Sequence, residues 1–202
     1  SNRDLDKAEI TFCNQLFWLY ADGSCYHVNS QTLIVADLHL EKAFSQSSAT
    51  LLPGYDTKET LELLCSALNR NPVSNCILLG DSFHTIAAAQ SLAGIYKEQL
   101  QQLAFGREFT WVLGNHDTLL PDFLNGTQSL SFSIAKIELR HQVEQNDTHK
   151  KLAPSDGQII AHYHPKAKLR LRAGTVSGKC FIFDTYRMIL PAFGVFTGGL
   201  NI

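Results

Sequence analysis

The stretch from Thr32 to Leu40, TLIVADLHL, decides the fold: an apolar run closes on Asp37-Leu38-His39. A run without polar alternation is what a strand covered on both faces requires. The pattern recurs twice. Residues 76–79 (CILL) lead into Gly80-Asp81, and residues 109–113 (FTWVL) lead into Gly114-Asn115-His116-Asp117. In α/β sheets ligands gather beyond the carboxyl ends of strands, so three such units in succession direct acidic, amide and imidazole groups to one point.

Working outward from these units, residues 16–20 (LFWLY) and 25–28 (CYHV) flank Asp22-Gly23 and predict a hairpin. The polar stretch 44–54 reads as a loop, and Asp56 with Glu59 as a capping box. The helix it opens carries Leu61, Leu64, Cys65 and Leu68 on one face and stops at Asn71-Pro72. Ala89, Ala93, Tyr96, Leu100 and Leu103 predict one long helix closed by Gly106. Further strands are expected over 129–134, 137–140, 158–161, 169–172 and 180–183. Alternating helices and strands, then clustered strands, predict an α/β sandwich: two sheets face to face with helices outside. Without a repeat or linker, residues 1–202 read as a single domain.

Composition narrows the class. Hydrophobic residues at 45% and charged residues at 18% describe a globular chain able to build its own core. No apolar run is long enough for a membrane-spanning helix. The polar, acidic opening SNRDLDKAEI lacks a secretory pattern. Five scattered cysteines without a CxxC pair form neither a disulfide framework nor a zinc knuckle; they suit a reducing, cytoplasmic setting and small apolar core positions. Net charge is -2, but ten Lys/Arg stand against five Asp/Glu over residues 136–187. That patch includes Lys150, Lys151, Lys166, Lys168, Arg170 and Arg172; on charge alone a solvated face is the simplest account.

His141 follows strand 137–140, and His162-Tyr163-His164 follows strand 158–161. Residues two apart on an extended segment project alike, so His162 and His164, like Asp37 and His39, are expected to reach one site. The pooled donors are Asp37, His39, Asp81, Asn115, His141, His162 and His164. Seven exceed one tetrahedral ion and suffice for two sharing a carboxylate; nitrogen and oxygen donors without thiolate suit manganese foremost, or iron or zinc. Taken singly, a strand-end histidine is a packing residue, Asp117 a helix cap and Asn115 a turn residue. Their coincidence favours metal. His27 and His149 are read as structural, and His84 divides evenly between packing and a substrate or ligand contact.

At these residues the chain resembles the calcineurin-like metallophosphoesterases, whose ordered blocks are matched by DLH at 37–39, GD at 80–81, GNHD at 114–117, His141 and AHYH at 161–164. The resemblance implies a four-layer α/β/β/α sandwich. VADLHLEKA, LLGDSFH, LRH, HYHP and the terminal LPAFGVFTGGLNI further resemble the bacterial ligase-associated DNA damage response endonucleases of the PdeM type. That likeness implies a phosphodiesterase or nuclease linked to DNA repair, with a DNA ligase and a helicase-like partner. It also implies that Asp37, His39, Asp81 and His164 hold one ion, and that Asp81, Asn115, His141 and His162 hold the second. Asn115 would also touch substrate, and metal-activated hydroxide would attack phosphorus. His116 would protonate the leaving group, oriented by Asp117. Ala161 stands where Gly usually precedes His-x-His and removes no ligand; Glu41 and the neutral FSQSSA stretch stand where Gly and Arg are frequent. The same metal core serves phosphomonoesterases and dinucleotide pyrophosphohydrolases, and a scaffold that lost its metals is the non-enzymatic alternative.

Overall fold

A computed structural model describes residues 7–41, 55–83, 85–115, 120–143, 156–172 and 174–195. The first sheet has seven strands in chain order: β1 (Lys7–Phe12), β2 (Gln15–Tyr20), β3 (Cys25–His27), β4 (Thr32–Ala36), β5 (Asn75–Leu79), β6 (Glu108–Val112) and β7 (Thr127–Ser129). β1 to β4 pair antiparallel and β4 to β7 parallel, a mixed sheet. The second, five-stranded sheet joins β8 (Phe132–Ile134), β9 (Ile137–Arg140), β10 (Gly157–Ile160), β13 (Ile182–Phe183) and β14 (Arg187–Ile189), with β10 parallel to both β9 and β14. A two-stranded ribbon, β11 (Lys166–Leu171) with β12 (Gly174–Lys179), stands apart.

The apolar runs are continuous because β4, β5 and β6 are covered twice. Leu33, Val35, Cys76, Leu78, Phe109 and Trp111 face the helices α1 (Tyr55–Arg70), α2 (Ile86–Ser91) and α3 (Gly94–Ala104). Ile34, Ala36, Ile77, Leu79 and Val112 face Ile134, Ile137, Leu139, Ile159 and Met188 of the second sheet. The expected α/β sandwich of two mixed sheets with flanking helices is therefore present. The helices among the described residues all lie on the larger sheet. The second sheet's outer face bears a polar ladder: Arg187 Nη2 donates to Gln158 Oε1 at 2.8 Å, and Gln158 Nε2 to Glu138 Oε2 at 3.3 Å. No helix among the described residues is long and apolar enough to cross a membrane.

Four expectations need correction. The long helix is broken into α2 and α3, because Leu92 and Ala93 turn extended (ψ 128° and 144°) ahead of Gly94, a weak helix former. Residues 129–134 are two strands in different sheets: the chain crosses between them at Leu130-Ser131, which apolar content cannot reveal. Asp56 lies inside the first turn of α1 rather than capping it, where its carboxylate complements the helix dipole. The strand expected over 169–172 starts earlier, at Lys166, and pairs with β12, whose glycine- and serine-bearing sequence carries little strand signal. β1 and β14 were also absent from the sequence reading. The expected loop over 44–54 lies outside the described residues.

All five cysteines are free; Cys25 and Cys76 are core residues, and Cys13, Cys65 and Cys180 are half-buried. Burial raises the Cys25 thiol and pushes Cys76 up to about 12, so both are inert packing groups. His27 is structural, as expected: it is buried, with Nδ1 2.6 Å from Ser30 Oγ and Nε2 3.1 Å from Gln15 Oε1. Burial holds its pKa below the ordinary value. The unfolded chain therefore takes up a proton near pH ~6.5 that the folded one resists, and stability falls as pH drops through that value. Urea midpoints between roughly pH 7 and 5 are expected to show this loss, reduced in His27→Gln. Equal pH slopes in the two proteins would contradict it.

Candidate metal centre

The loops leaving β4 and β5 are laced together beyond the sheet proper. The Asp37 N–H donates to the Gly80 carbonyl at 3.2 Å, His39 N–H to Asp81 O at 3.0 Å, and Leu40 N–H to Ser82 O at 2.9 Å. The Ala161 N–H likewise donates to His141 O at 3.0 Å, tying the loops after β9 and β10. Each sheet thus offers a pair of bonded strand ends, and the two pairs meet.

Two groups of donors result. Asp37, His39 and His164 form one, and Asp81, His141 and His162 the other; within each, the ligand atoms lie within 4.8 Å of one another. Asp37 joins them. Its Oδ1 lies 3.3 Å from His164 Nε2, 3.7 Å from His141 Nδ1 and 3.9 Å from His39 Nε2, while Oδ2 accepts the His162 N–H at 3.0 Å. Asp81 Oδ2 lies 3.3 Å from His141 Nε2. Ring nitrogens also approach in pairs, His39 with His164 at 3.3 Å and His141 with His162 at 3.2 Å.

A buried carboxylate normally has its lone pairs satisfied. Asp37 is fully buried, yet Oδ1 accepts no hydrogen bond. Three imidazoles crowding one such oxygen fit cations between them, and the set, without sulfur, fits hard-to-borderline divalent ions. The residues present accommodate two metals.

Backbone conformation sets this geometry. Asp37, His39, Asp81, His162 and His164 all have positive φ, from 42° to 73°. Such values are uncommon outside glycine and cost roughly 1–2 kcal/mol each; their concentration here is what a functional site held by its surroundings looks like. The period-two projection expected of His162 and His164 therefore does not apply. The Tyr163 N–H donates to Ala161 O at 2.9 Å across His162 (φ 73°), a tight three-residue turn. His162 and His164 consequently serve adjacent groups.

Burial, then neighbouring His141, lowers the His162 pKa against the opposing pull of Asp37 and Asp81. Glu41 is turned inward: its Oε1 accepts from Thr57 Oγ at 3.0 Å, and burial raises its pKa. Two of the quoted sequence blocks contribute by position rather than as ligands. Gly80 (φ 72°) passes so close to His141 that a Cβ there would overlap the ring. Phe193 N–H donates to Ala36 O at 2.7 Å and Gly194 N–H to Asp37 O at 3.3 Å, so the chain near its C-terminus lies against the first loop. Asn115 is exposed just beyond β6, with Nδ2 3.2 Å from Gln142 Oε1, the residue after His141. His84, His116, Asp117, His149, Lys150 and Lys151 lie outside the described residues.

The fold and these groups define an α/β sandwich with two adjacent candidate metal sites. Neither a family model nor a curated protein matches the chain. Among solved structures it is similar to the crystal structure of Pseudomonas putida nuclease MPE, at 26% identity and a TM-score of 0.74, over 98% of this chain and 92% of that one.

Proposed function

We propose that the chain is a metal-dependent phosphodiesterase that cleaves nucleic acid. The observation that carries this reading is the junction of two three-donor groups at Asp37; likeness to a nuclease over nearly the whole chain supports it. Asp37, His39 and His164 would hold one divalent ion and Asp81, His141 and His162 the second, with Asp37 joining the groups where the resemblance would share Asp81, and with manganese the leading choice. When bound, the ions supply Lewis-acid stabilisation of phosphate charge and an acidified water.

The protein's own groups do the rest. Asn115, at the rim, offers an amide to the second ion and to a phosphate oxygen. His116, next in the chain, gives its proton to the departing alkoxide, and Asp117 orients that ring. Association with a DNA ligase and a helicase-like partner in DNA repair, in the cytoplasm, is the finer proposal and rests on sequence resemblance.

The test is a substrate panel with manganese, with and without a chelator: bis-p-nitrophenyl phosphate, p-nitrophenyl phosphate, dinucleoside polyphosphates, and single- and double-stranded DNA. Diester and DNA hydrolysis abolished by the chelator is expected. Turnover restricted to the monoester or the dinucleotides would overturn the substrate class. Absence of both turnover and bound ions would leave a scaffold.

A further inference from the structure

The ribbon β11–β12 pairs with neither large sheet. Two strands alone are marginal in water, so this one gains its purpose from something outside the core. Its two faces differ sharply. Lys166, Lys168 and Arg170 alternate along one side of β11 and face Lys179, Ser177 and Thr175 across the ladder. On the other side Leu169 faces Val176, both more than half exposed. Between Asp156 and Asp184 the sequence holds five Lys/Arg and no acidic residue. Lys168, Arg170 and Arg172 are exposed and have no acidic partner among the described residues.

The root of the ribbon is fixed to the metal centre. β11 begins two residues after His164, and Cys180 N–H donates to Pro165 O at 3.1 Å. At the end of β12, Lys179 Nζ donates to Phe193 O at 2.8 Å, beside the Gly194 N–H that bonds Asp37 O. Tyr163, 42% exposed between His162 and His164, presents an aromatic ring whose centroid lies 5.4 Å from that of His162.

We propose that the basic face of β11–β12 is a track for the phosphate backbone of a nucleic acid whose scissile phosphate sits at the metal centre. The inference rests on the nuclease reading above. Same-face residues of a strand lie about 7 Å apart, comparable to successive phosphates along an extended strand. Lys168 and Arg170 thus meet neighbouring phosphates, Arg172 extends the row, and Tyr163 offers a base a stacking surface.

The full chain carrying Lys168→Gln, Arg170→Gln and Arg172→Gln tests the track. With manganese, hydrolysis of bis-p-nitrophenyl phosphate is expected within ~2-fold of the parent, because a small diester does not reach the ribbon. On a fluorescent oligonucleotide, KM rises and kcat/KM falls roughly 10–100-fold, while the salt slope of log(kcat/KM) shrinks by about 2–3. A Leu169→Ser, Val176→Thr variant should match the parent on both substrates. Parental oligonucleotide kinetics and salt slope in the triple variant would overturn the track and leave the ribbon to a protein partner. An equal oligonucleotide defect in the apolar-face variant, or loss of small-diester turnover in the triple variant, would overturn it too. If the parent hydrolyses the small diester but no oligonucleotide, the nuclease reading falls first and the track with it.

Discussion

Asp37→Asn is expected to abolish both metal binding and turnover. The carboxylate is fully buried, its Oδ1 has three imidazole nitrogens within 3.9 Å, and its Oδ2 holds the His162 backbone. An amide keeps the shape but not the charge that draws cations into a pocket otherwise rich in imidazole. Two-metal sites supply several kcal/mol of transition-state stabilisation, so kcat/KM on bis-p-nitrophenyl phosphate should fall at least ~10³-fold. A second readout is independent of turnover. Ions that bind only the folded state raise its stability by roughly 2.7 kcal/mol at a hundredfold excess over Kd. Manganese should therefore raise the melting temperature of the parent and leave that of Asp37→Asn unmoved. Two tightly bound ions in the variant, with parental turnover, would remove Asp37 from the centre of the site.

Gly80→Ala is expected to be among the most damaging single methyls in the described part of the molecule. Gly80 has φ 72°, and its N–H donates to Val112 O at 2.8 Å while its carbonyl accepts from Asp37. The backbone therefore has no freedom to retreat, and a Cβ would occupy the place of the His141 ring. Left-handed strain of about 1–2 kcal/mol adds to overpacking of about 1–3 kcal/mol. At roughly 2–4 °C per kcal/mol for a chain of this size, melting should fall by about 4–20 °C. Displacing His141 dismantles the group with Asp81 and His162 but leaves Asp37, His39 and His164, so metal analysis should find one ion per chain in place of two. Full stoichiometry in the folded variant would show that His141 is not a ligand.

Much of this was legible in the sequence because burial on both faces leaves an unmistakable mark. β4, β5 and β6 are unbroken apolar runs, and each ends in groups too polar for a core. The six described residues that form the donor groups were all among the seven expected ligands. Where composition is ambiguous, reading failed: Leu130-Ser131 gives no sign that the chain changes sheets, and β12 has too few strand formers to announce itself.

By itself, the sequence determined which chemical groups lie at strand ends, since apolar runs and their polar terminators are local properties of the chain. Only the tertiary structure decided how those groups divide. Left-handed turns at Asp37, His39, Asp81, His162 and His164 override the alternation of an extended strand, and hydrogen bonds between loops distant in the chain hold them there. Such turns are costly in isolation, so no local preference encodes them; they persist because two sheets packed face to face leave the backbone no cheaper path.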